Sequence, residues 1–314
     1  MGLTIGIDIG GTKIAGGVVD ENGNIVQMDR RSTPSRGPEG VENAVIELVL
    51  EYSSEHDVEA VGIGFAGFVD EKRSRVLLAP NLGWTDEPLR LAIESKVGVP
   101  VVVENDANAA AWGEYKFGAG AGTTDMVCVT VGTGIGGGLV FRGELYRGAH
   151  GVAAEIGHIG VEPGGRLCGC GNRGCWEQYA SGNALVREAR LLAAERRAEA
   201  EILLDLGDGT PEGVEGKHIT EAARLGDAVA LAAFESLSRW LGVGMADVCA
   251  LLDPGVFIIG GGVSEAGDLL LSGTRRNFVG SVSGRDSRPL PEIKLAKLGN
   301  SAGLVGAADL ARYR

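Results

Sequence analysis

An α/β fold of two related lobes is predicted by three features of the chain. A short apolar run (3–9) breaks at Gly10-Gly11-Thr12-Lys13 and resumes as a second strand-like run (14–19). The same unit of strand, glycine turn and strand recurs over 127–141, where Gly132-Thr133-Gly134 and Gly136-Gly137-Gly138 interrupt the apolar residues. Around these units, segments with helical spacing alternate with β-branched runs, the pattern of sheets covered by helices. Two copies of one hairpin, far apart in the chain, imply two lobes built alike and facing a shared ligand.

After the second run, Asp20-Glu21-Asn22-Gly23-Asn24 is a strong hairpin signal. The first glycine turn therefore joins strand to strand. It does not lead into a helix, which excludes the dinucleotide fingerprint and the P-loop. Alone, it reads as a plain hairpin turn. Its recurrence at Thr133 and Gly134 changes that reading. Backbone N–H groups at Gly10 and Gly11, with Thr12 and Lys13 as further donors, make a concave set suited to phosphate oxygens. The pair of turns resembles the actin, hexokinase and heat-shock ATPase superfamily, whose ribonuclease H-like lobes hold nucleotide phosphates across an interdomain cleft.

Between the two copies, residues 38–54 show helical spacing, with Val41, Ala44, Val45, Leu48 and Val49 on one face. Residues 58–65 read as a buried strand ending in a loop at Gly64-Phe65-Ala66-Gly67, and Asn81 falls in another loop. A short helix (88–97) precedes a strand (99–103) that runs into Glu104-Asn105-Asp106-Ala107-Asn108, with a helix over 109–117. Asp106 at that junction has two readings. It can be a helix cap, the usual work of Asp and Asn. It can also be a carboxylate held at a strand's C-terminal end and aimed at a ligand, able to accept a proton from an attacking hydroxyl. Further on, helices are expected over 183–200, 219–224 and 228–252, with an acidic loop over 205–216. A strand (256–259) then delivers Gly260-Gly261-Gly262, residues 272–291 read as irregular, and a last helix covers 304–312.

Three of the five cysteines fall in Cys168-Gly169-Cys170-Gly171-Asn172-Arg173-Gly174-Cys175. Glycines let so short a loop fold back until the thiols converge. With His158 they make a Cys3His set, the donors of closed structural zinc. A disulfide is the competing reading, but Cys128 and Cys249 stand in apolar runs and no secretory signal is present. In a reducing compartment, clustered cysteines point to metal. Glu155 and Glu177 flank the set and are left for other work.

The sequence Glu155-Ile156-Gly157-His158, followed by Cys-Gly-Cys-Gly-x-x-Gly-Cys-x-Glu ending at Glu177, resembles the hallmark of the ROK family of sugar kinases and repressors. The likeness extends over nearly the whole chain, and within the family it is to bacterial, actinobacterial-type kinases that phosphorylate glucose. It implies transfer of the γ-phosphoryl group of ATP to a hexose, with Asp106 as general base. It implies a sugar held by Asn81, Asn105, Asp106, Glu155, His158 and Glu177, and adenosine lying against Gly260, Gly261 and Gly262. For the glycines at 260–262, a tight strand-to-helix turn is an equal reading. Magnesium is expected on the phosphates and water, with Asp8 as the nearest carboxylate. The lobes are expected at 1–107, completed by a C-terminal helix at 300–314, and at 108–299, carrying the zinc loop 155–178. Members of the family commonly pair, so a homodimer or homotetramer is expected.

Composition narrows the alternatives. The net charge of −13 disfavours nonspecific binding to nucleic acid or an anionic membrane. No apolar run approaches the roughly eighteen residues of a spanning helix, and a cytoplasmic protein is expected. A sugar-responsive repressor would carry a helix-turn-helix ahead of the first strand, which here begins at Leu3. A non-catalytic sensor would be expected to lack the Asp106 carboxylate. Fructose, mannose or an N-acetylhexosamine remain open as the sugar, since the family shares the Glu-His-Glu set.

Overall fold

In the computed structural model, which describes residues 2–34, 37–80 and 82–313, the chain opens with β1 (Leu3–Ile9), β2 (Lys13–Val19) and β3 (Ile25–Ser32). Helix α1 (Gly37–Glu55) leads to β4 (Val58–Phe65), then to the short strands β5 (Phe68–Val69), β6 (Val76–Ala79) and β7 (Trp84–Glu87). Next come α2 (Leu89–Val97), β8 (Val101–Asn105) and α3 (Asp106–Phe117). The hairpin then recurs as β9 (Met126–Val131) and β10 (Ile135–Phe141), followed by β11 (Glu144–Tyr146). Past the cysteine loop lie α4 (Glu177–Ala180), α5 (Gly182–Glu195), α6 (Glu201–Leu206), α7 (Gly216–Arg224) and α8 (Ala228–Leu252). The chain ends with β12 (Val256–Gly260), α9 (Asp268–Ser281), β13 (Glu292–Leu295) and α10 (Ala302–Leu310).

One five-stranded sheet has the order β3-β2-β1-β4-β8, and another has the order β11-β10-β9-β12-β13. In the first, β1, β2 and β3 form an antiparallel meander while β1, β4 and β8 run parallel. The second repeats that strand order one for one, with β10 and β11 antiparallel and β12 and β13 parallel. The duplicated hairpin is thus the start of a duplicated sheet.

Packing divides the chain into two compact units, one of Met1–Cys128, Gly137–Ala154 and Lys297–Arg314, the other of Val129–Gly136 and Glu155–Ala296. These limits differ from the expected 1–107 and 108–299. In the first unit α3 packs extensively with α10, which keeps it with β1 and β4.

One face of the first sheet buries Ile5, Ile7, Ile63, Val101 and Val103 with Val41, Val45, Leu48 and Tyr52 of α1. The other face receives α10 at backbone distance. A Cβ on Gly6 would lie 2.0 Å from the Leu304 carbonyl oxygen, and one on Gly62 would lie 1.7 Å from that of Ala307. Between α10 and α3, a Cβ on Gly306 would meet the Ala109 carbonyl oxygen at 1.8 Å. These glycines lie inside strands and a helix, where they serve close packing of backbone on backbone rather than turns. Trp112 Nε1 donates to Asp309 Oδ2 at 2.8 Å, and buried Glu114 accepts from the backbone N–H groups of Lys297 (3.0 Å) and Leu298 (2.6 Å).

In the second unit the same device joins α8 to α9. A Cβ on Gly242 would lie 2.6 Å from the Phe278 nitrogen, and one on Gly273 would lie 2.8 Å from Ser238 Cβ. This corrects the first half of the expected irregular segment 272–291, since 282–291 is irregular while 272–281 belongs to α9. Its glycines and polar residues masked a helix stabilised by tertiary contact rather than by propensity. The long helix expected over 183–200 stops at Glu195, and α6 occupies the start of the expected acidic loop. Strand β10 begins at Ile135 and runs through the three glycines, of which Gly138 leaves room for α3, since a Cβ there would lie 2.3 Å from Ala111 Cβ.

Candidate active site

Two carboxylates stand at the C-terminal ends of parallel strands in the first unit. Asp8 of β1 pairs in register with Gly64 of β4, which pairs with Glu104 of β8, two residues before Asp106. Both side chains are half-buried. Burial, and then the charge of Asp106, push the Asp8 carboxyl up to about 7. Removal from water pushes Asp106 up to about 6, against the pull of the Ala107 N–H, which donates to its Oδ1 at 2.9 Å.

Helix α3 begins at Asp106 rather than at residue 109, and its cap is Asn105. The Asn105 side-chain oxygen accepts from the Asn108 N–H at 3.0 Å, and its amide donates to the Gly67 carbonyl at 3.1 Å. Capping, the competing role for Asp106, is therefore filled by its neighbour. A carboxylate with its pKa near neutrality suits general base work.

Behind this pair sits a cluster that the sequence reading missed. Glu104 is 1% exposed and its Oε2 lies 3.0 Å from Arg73 Nε and 2.7 Å from Arg147 Nε. Its Oε1 accepts from the Asn105 N–H at 2.9 Å and from Asn108 Nδ2 at 3.1 Å. Arg147 also donates to the carbonyls of Glu71 and Asp70, both at 2.8 Å. The cluster fixes the backbone that carries Asn105 and Asp106. Its one signal in the sequence was a glutamate ending an apolar strand.

The glycine turns differ from each other. In the first, the Gly10 N–H donates to the Lys13 carbonyl at 2.9 Å, and Thr33 clamps the loop by donating to the carbonyls of Gly10 (2.7 Å) and Thr12 (3.0 Å). Nothing lies within 4 Å of a Cβ built on Gly11, and Thr12 and Lys13 are exposed. The space above this turn is open to a ligand. In the second, the Gly132 N–H donates to the Gly134 carbonyl at 3.0 Å, Thr133 is exposed, and a Cβ on Gly134 would meet Glu177 Oε2 at 2.6 Å. The glycine at 134 is thus required by a side chain of the same unit. At the strand-to-helix turn, Gly261 has φ +80° and would press a Cβ to 2.5 Å from the Val131 carbonyl, Gly260 is buried with Ala296 at contact distance, and only Gly262 of the three has open space where a Cβ would go. The predicted Asn81 lies outside the described residues.

In the second unit the loop before α4 gathers the expected metal donors. One ligand atom from each of His158, Cys168, Cys170 and Cys175 lies within 4.8 Å of the others. Cys168 Sγ is 3.6 Å from His158 Nδ1, and Cys170 Sγ is 3.6 Å from Cys175 Sγ. Tetrahedral zinc with sulfur at about 2.3 Å has ligand–ligand edges of about 3.8 Å, so a Cys3His set gathered at this range has the donors and spacing to hold a structural zinc ion. His158 Nδ1 faces the thiols, while Nε2 lies 4.0 Å from Glu155 Oε2. Glu177 Oε1 accepts from the Cys168 thiol at 3.0 Å. Fully buried Trp176 fastens the loop's end, donating to the Trp240 carbonyl at 2.8 Å, with its indole over Gly244.

A match to the ROK family runs over residues 4–314. The chain belongs to the ROK family. It is 55% identical over 312 residues to a glucokinase of Streptomyces coelicolor, covering 99% of this chain and 98% of that one. Among solved structures it resembles a ROK family glucokinase from Streptomyces griseus in complex with glucose and AMPPNP, at 57% identity and a TM-score of 0.92 over the full length of both chains. It also resembles a ROK hexokinase from Thermus thermophilus, at 36% identity and a TM-score of 0.80, covering 99% of this chain and 98% of the other. The doubled sheet is the actin-like ATPase fold of these ROK kinases. Among the described residues, no helix of this ROK protein is long and apolar enough to cross a membrane.

Proposed function

We propose that this ROK protein transfers the γ-phosphoryl group of ATP to the 6-hydroxyl of glucose. The observation that carries the reading is the Asp106 carboxylate, drawn up to about 6 at the end of β8 while Asn105 does the capping. The likeness to the Streptomyces glucokinases supplies the sugar and the donor.

In this reading the sugar's 6-oxygen attacks the γ-phosphorus, its proton passes to Asp106, and ADP leaves. Phosphoryl transfer asks the protein mainly for positioning and for charge compensation. Gly11, Thr12 and Lys13 present donors to phosphate oxygens, as do Thr133 and Gly134, while Gly10 shapes the first turn through its N–H to the Lys13 carbonyl. Gly260, Gly261 and Gly262 let the adenosine approach backbone. Asn81, Asn105, Glu155, His158 and Glu177 hold sugar hydroxyls, each able to direct a donor or acceptor at one epimer. Asp8 would ligate magnesium, whose charge would offset that of the phosphates. Bound zinc would fix the plane of His158 and leave its Nε2, with Glu155 and Glu177, for the sugar.

Use of free glucose and ATP fits a cytoplasmic enzyme, and a homodimer or homotetramer is the proposed assembly. Lobes at 1–107 with 300–314 and at 108–299 remain the proposed functional division. The test is ADP release with ATP and magnesium across a panel of hexoses. Glucose should give the highest kcat/KM, with fructose, mannose and N-acetylhexosamines well below it. Release no faster than the sugar-free blank for every hexose would overturn the reaction class, and a preference for another hexose would overturn the sugar.

A further inference from the structure

The second unit contains a cavity of about 210 Å³ whose walls are mostly polar. Arg166, Arg187 and Arg239 all line it, and Glu188 is the one carboxylate among the lining residues. Three guanidinium groups against one carboxylate is a local excess of positive charge in a chain whose net charge is −13. Concentrated like charge of this kind is costly without a counter-ion.

The arginines are held in place by different means. Arg187 of α5 donates to the Gln178 carbonyl and feels the repulsion of Arg166. The Arg239 guanidinium stacks over the Trp240 ring at 4.7 Å from its centroid. Tyr179 packs on Trp240 at 4.7 Å between ring centroids, and its hydroxyl accepts from the Arg166 backbone N–H at 2.8 Å. Two packed aromatic rings thus form a rigid wall beside three planar donors. Arginine forks match phosphate oxygens bidentately, and a stacked guanidinium keeps its N–H edges free for an anion. The cavity is smaller than the pockets that take drug-sized ligands, which suits a phosphate group or a small phosphate ester.

We propose that the cavity lined by Arg166, Arg187 and Arg239 is a binding site for the phosphate group of a small anion, separate from the glycine turns and from the cysteine loop's donors. Orthophosphate and a hexose 6-phosphate carry the same recognised group. The cavity lies close to α4, since the Gln178 carbonyl that Arg187 grips follows directly on Glu177. The site does not rest on the reaction assigned above.

The test is calorimetric titration of the full-length protein, saturated with glucose and AMPPNP so that the active site is filled. Orthophosphate, glucose 6-phosphate and free glucose are titrated separately, in a buffer free of phosphate and sulfate. Saturable binding of orthophosphate identifies the free ion as sufficient, and tighter binding of glucose 6-phosphate identifies the ester as the better ligand. Arg239→Gln and Arg187→Gln should each weaken it about 10- to 100-fold, the loss of one charge-assisted hydrogen bond. Circular dichroism and a melting curve check that each variant folds, and Arg239→Lys, which keeps the charge, should restore part of the affinity. Absence of saturable binding by either phosphate compound overturns the site, as does binding that both glutamine variants leave unchanged. Glutamine variants that alter only the molecular mass in solution would also overturn it, assigning the arginines to contact between copies.

Discussion

A Cβ on Gly134 would lie 2.6 Å from Oε2 of Glu177, so the second glycine turn and a proposed sugar ligand share one space. The first turn has no such neighbour, since nothing lies within 4 Å of a Cβ on Gly11. The two glycines should therefore fail differently. Gly134→Ala displaces the Glu177 carboxylate and should raise KM for glucose about tenfold or more, the worth of a charged hydrogen bond. Gly11→Ala leaves the fold alone and should raise KM for ATP, with little effect on glucose. Steady-state kinetics varying each substrate separates the two. Equal effects of both variants on ATP alone would show that the Gly134 substitution acts at the phosphates and not through Glu177.

Asp106→Asn keeps the shape of the side chain and removes the proton acceptor. General base catalysis is worth roughly 10²–10⁴-fold in rate, and kcat should fall by that range. Glucose binding, measured by tryptophan fluorescence or calorimetry, should persist. Near-normal turnover in this variant would take Asp106 out of the reaction.

The raised carboxyl of Asp106 has two consequences with pH. As a base it works only when ionised, so kcat/KM should rise with pH up to about 6 and level off above it. Stability runs the other way. A carboxyl raised from 3.8 to about 6 favours the folded state only in its protonated form, so its ionisation opposes folding above about pH 6. Asp106→Asn should then melt higher than the wild-type protein at about pH 8, with the difference shrinking toward about pH 4. A variant that is less stable at every pH would contradict the burial cost assigned to this group.

Glu104 holds two arginines and two N–H groups from a position that is 1% exposed. Removing one partner of a buried charge cluster leaves the others unpaired, at a cost of about 3–5 kcal/mol. Glu104→Gln should show that loss in urea unfolding and also lower kcat, because the backbone of Asn105 and Asp106 loses its anchor. Arg147→Lys, which keeps charge but not the bidentate grip on Asp70 and Glu71, should show a smaller loss of both. Full activity in a Glu104→Gln protein at low temperature would show that the cluster serves stability alone.

The parts legible in the sequence were those whose signal is local. A glycine turn between two apolar runs announces a hairpin, and three cysteines spaced by glycines announce a metal loop. What escaped were residues whose role exists only across long separations. Gly6 and Gly62 sit inside expected strands and Gly306 inside the expected last helix, and the reason for a glycine at each shows only once α10 is seen against the sheet and against α3. Helix α9 lacks a strong helical pattern because Gly242 and Gly273 supply its close contact with α8. Glu104 meets Arg73 and Arg147 only after the sheet is assembled. Asn105 could be told from Asp106 as the cap only by the geometry at Asn108.

The metal loop gives the sharpest separation of roles. His158 turns Nδ1 toward Cys168 at 3.6 Å, and Glu177 shares that thiol at 3.0 Å. When the thiol is deprotonated to hold zinc, it can no longer donate to Glu177, and that carboxylate becomes available to a sugar hydroxyl. Zinc loading should therefore set both the plane of His158 and the partner of Glu177, while the first glycine turn, in the other compact unit, is untouched. Cys170→Ser or Cys175→Ser removes a zinc donor and should lower zinc content and weaken glucose binding by about 10- to 100-fold, the scale of disturbing the support of a metal-oriented side chain such as His158. Affinity for AMPPNP should change far less. The measurement pairs elemental analysis with separate titrations of glucose and nucleotide on one preparation. Chelation of the wild-type protein should reproduce the glucose defect, and added zinc should reverse it in the chelated protein but not in the serine variants. A zinc-depleted protein with unaltered glucose affinity would break the link between the metal loop and sugar recognition, leaving Asp106 and the phosphoryl transfer reading in place.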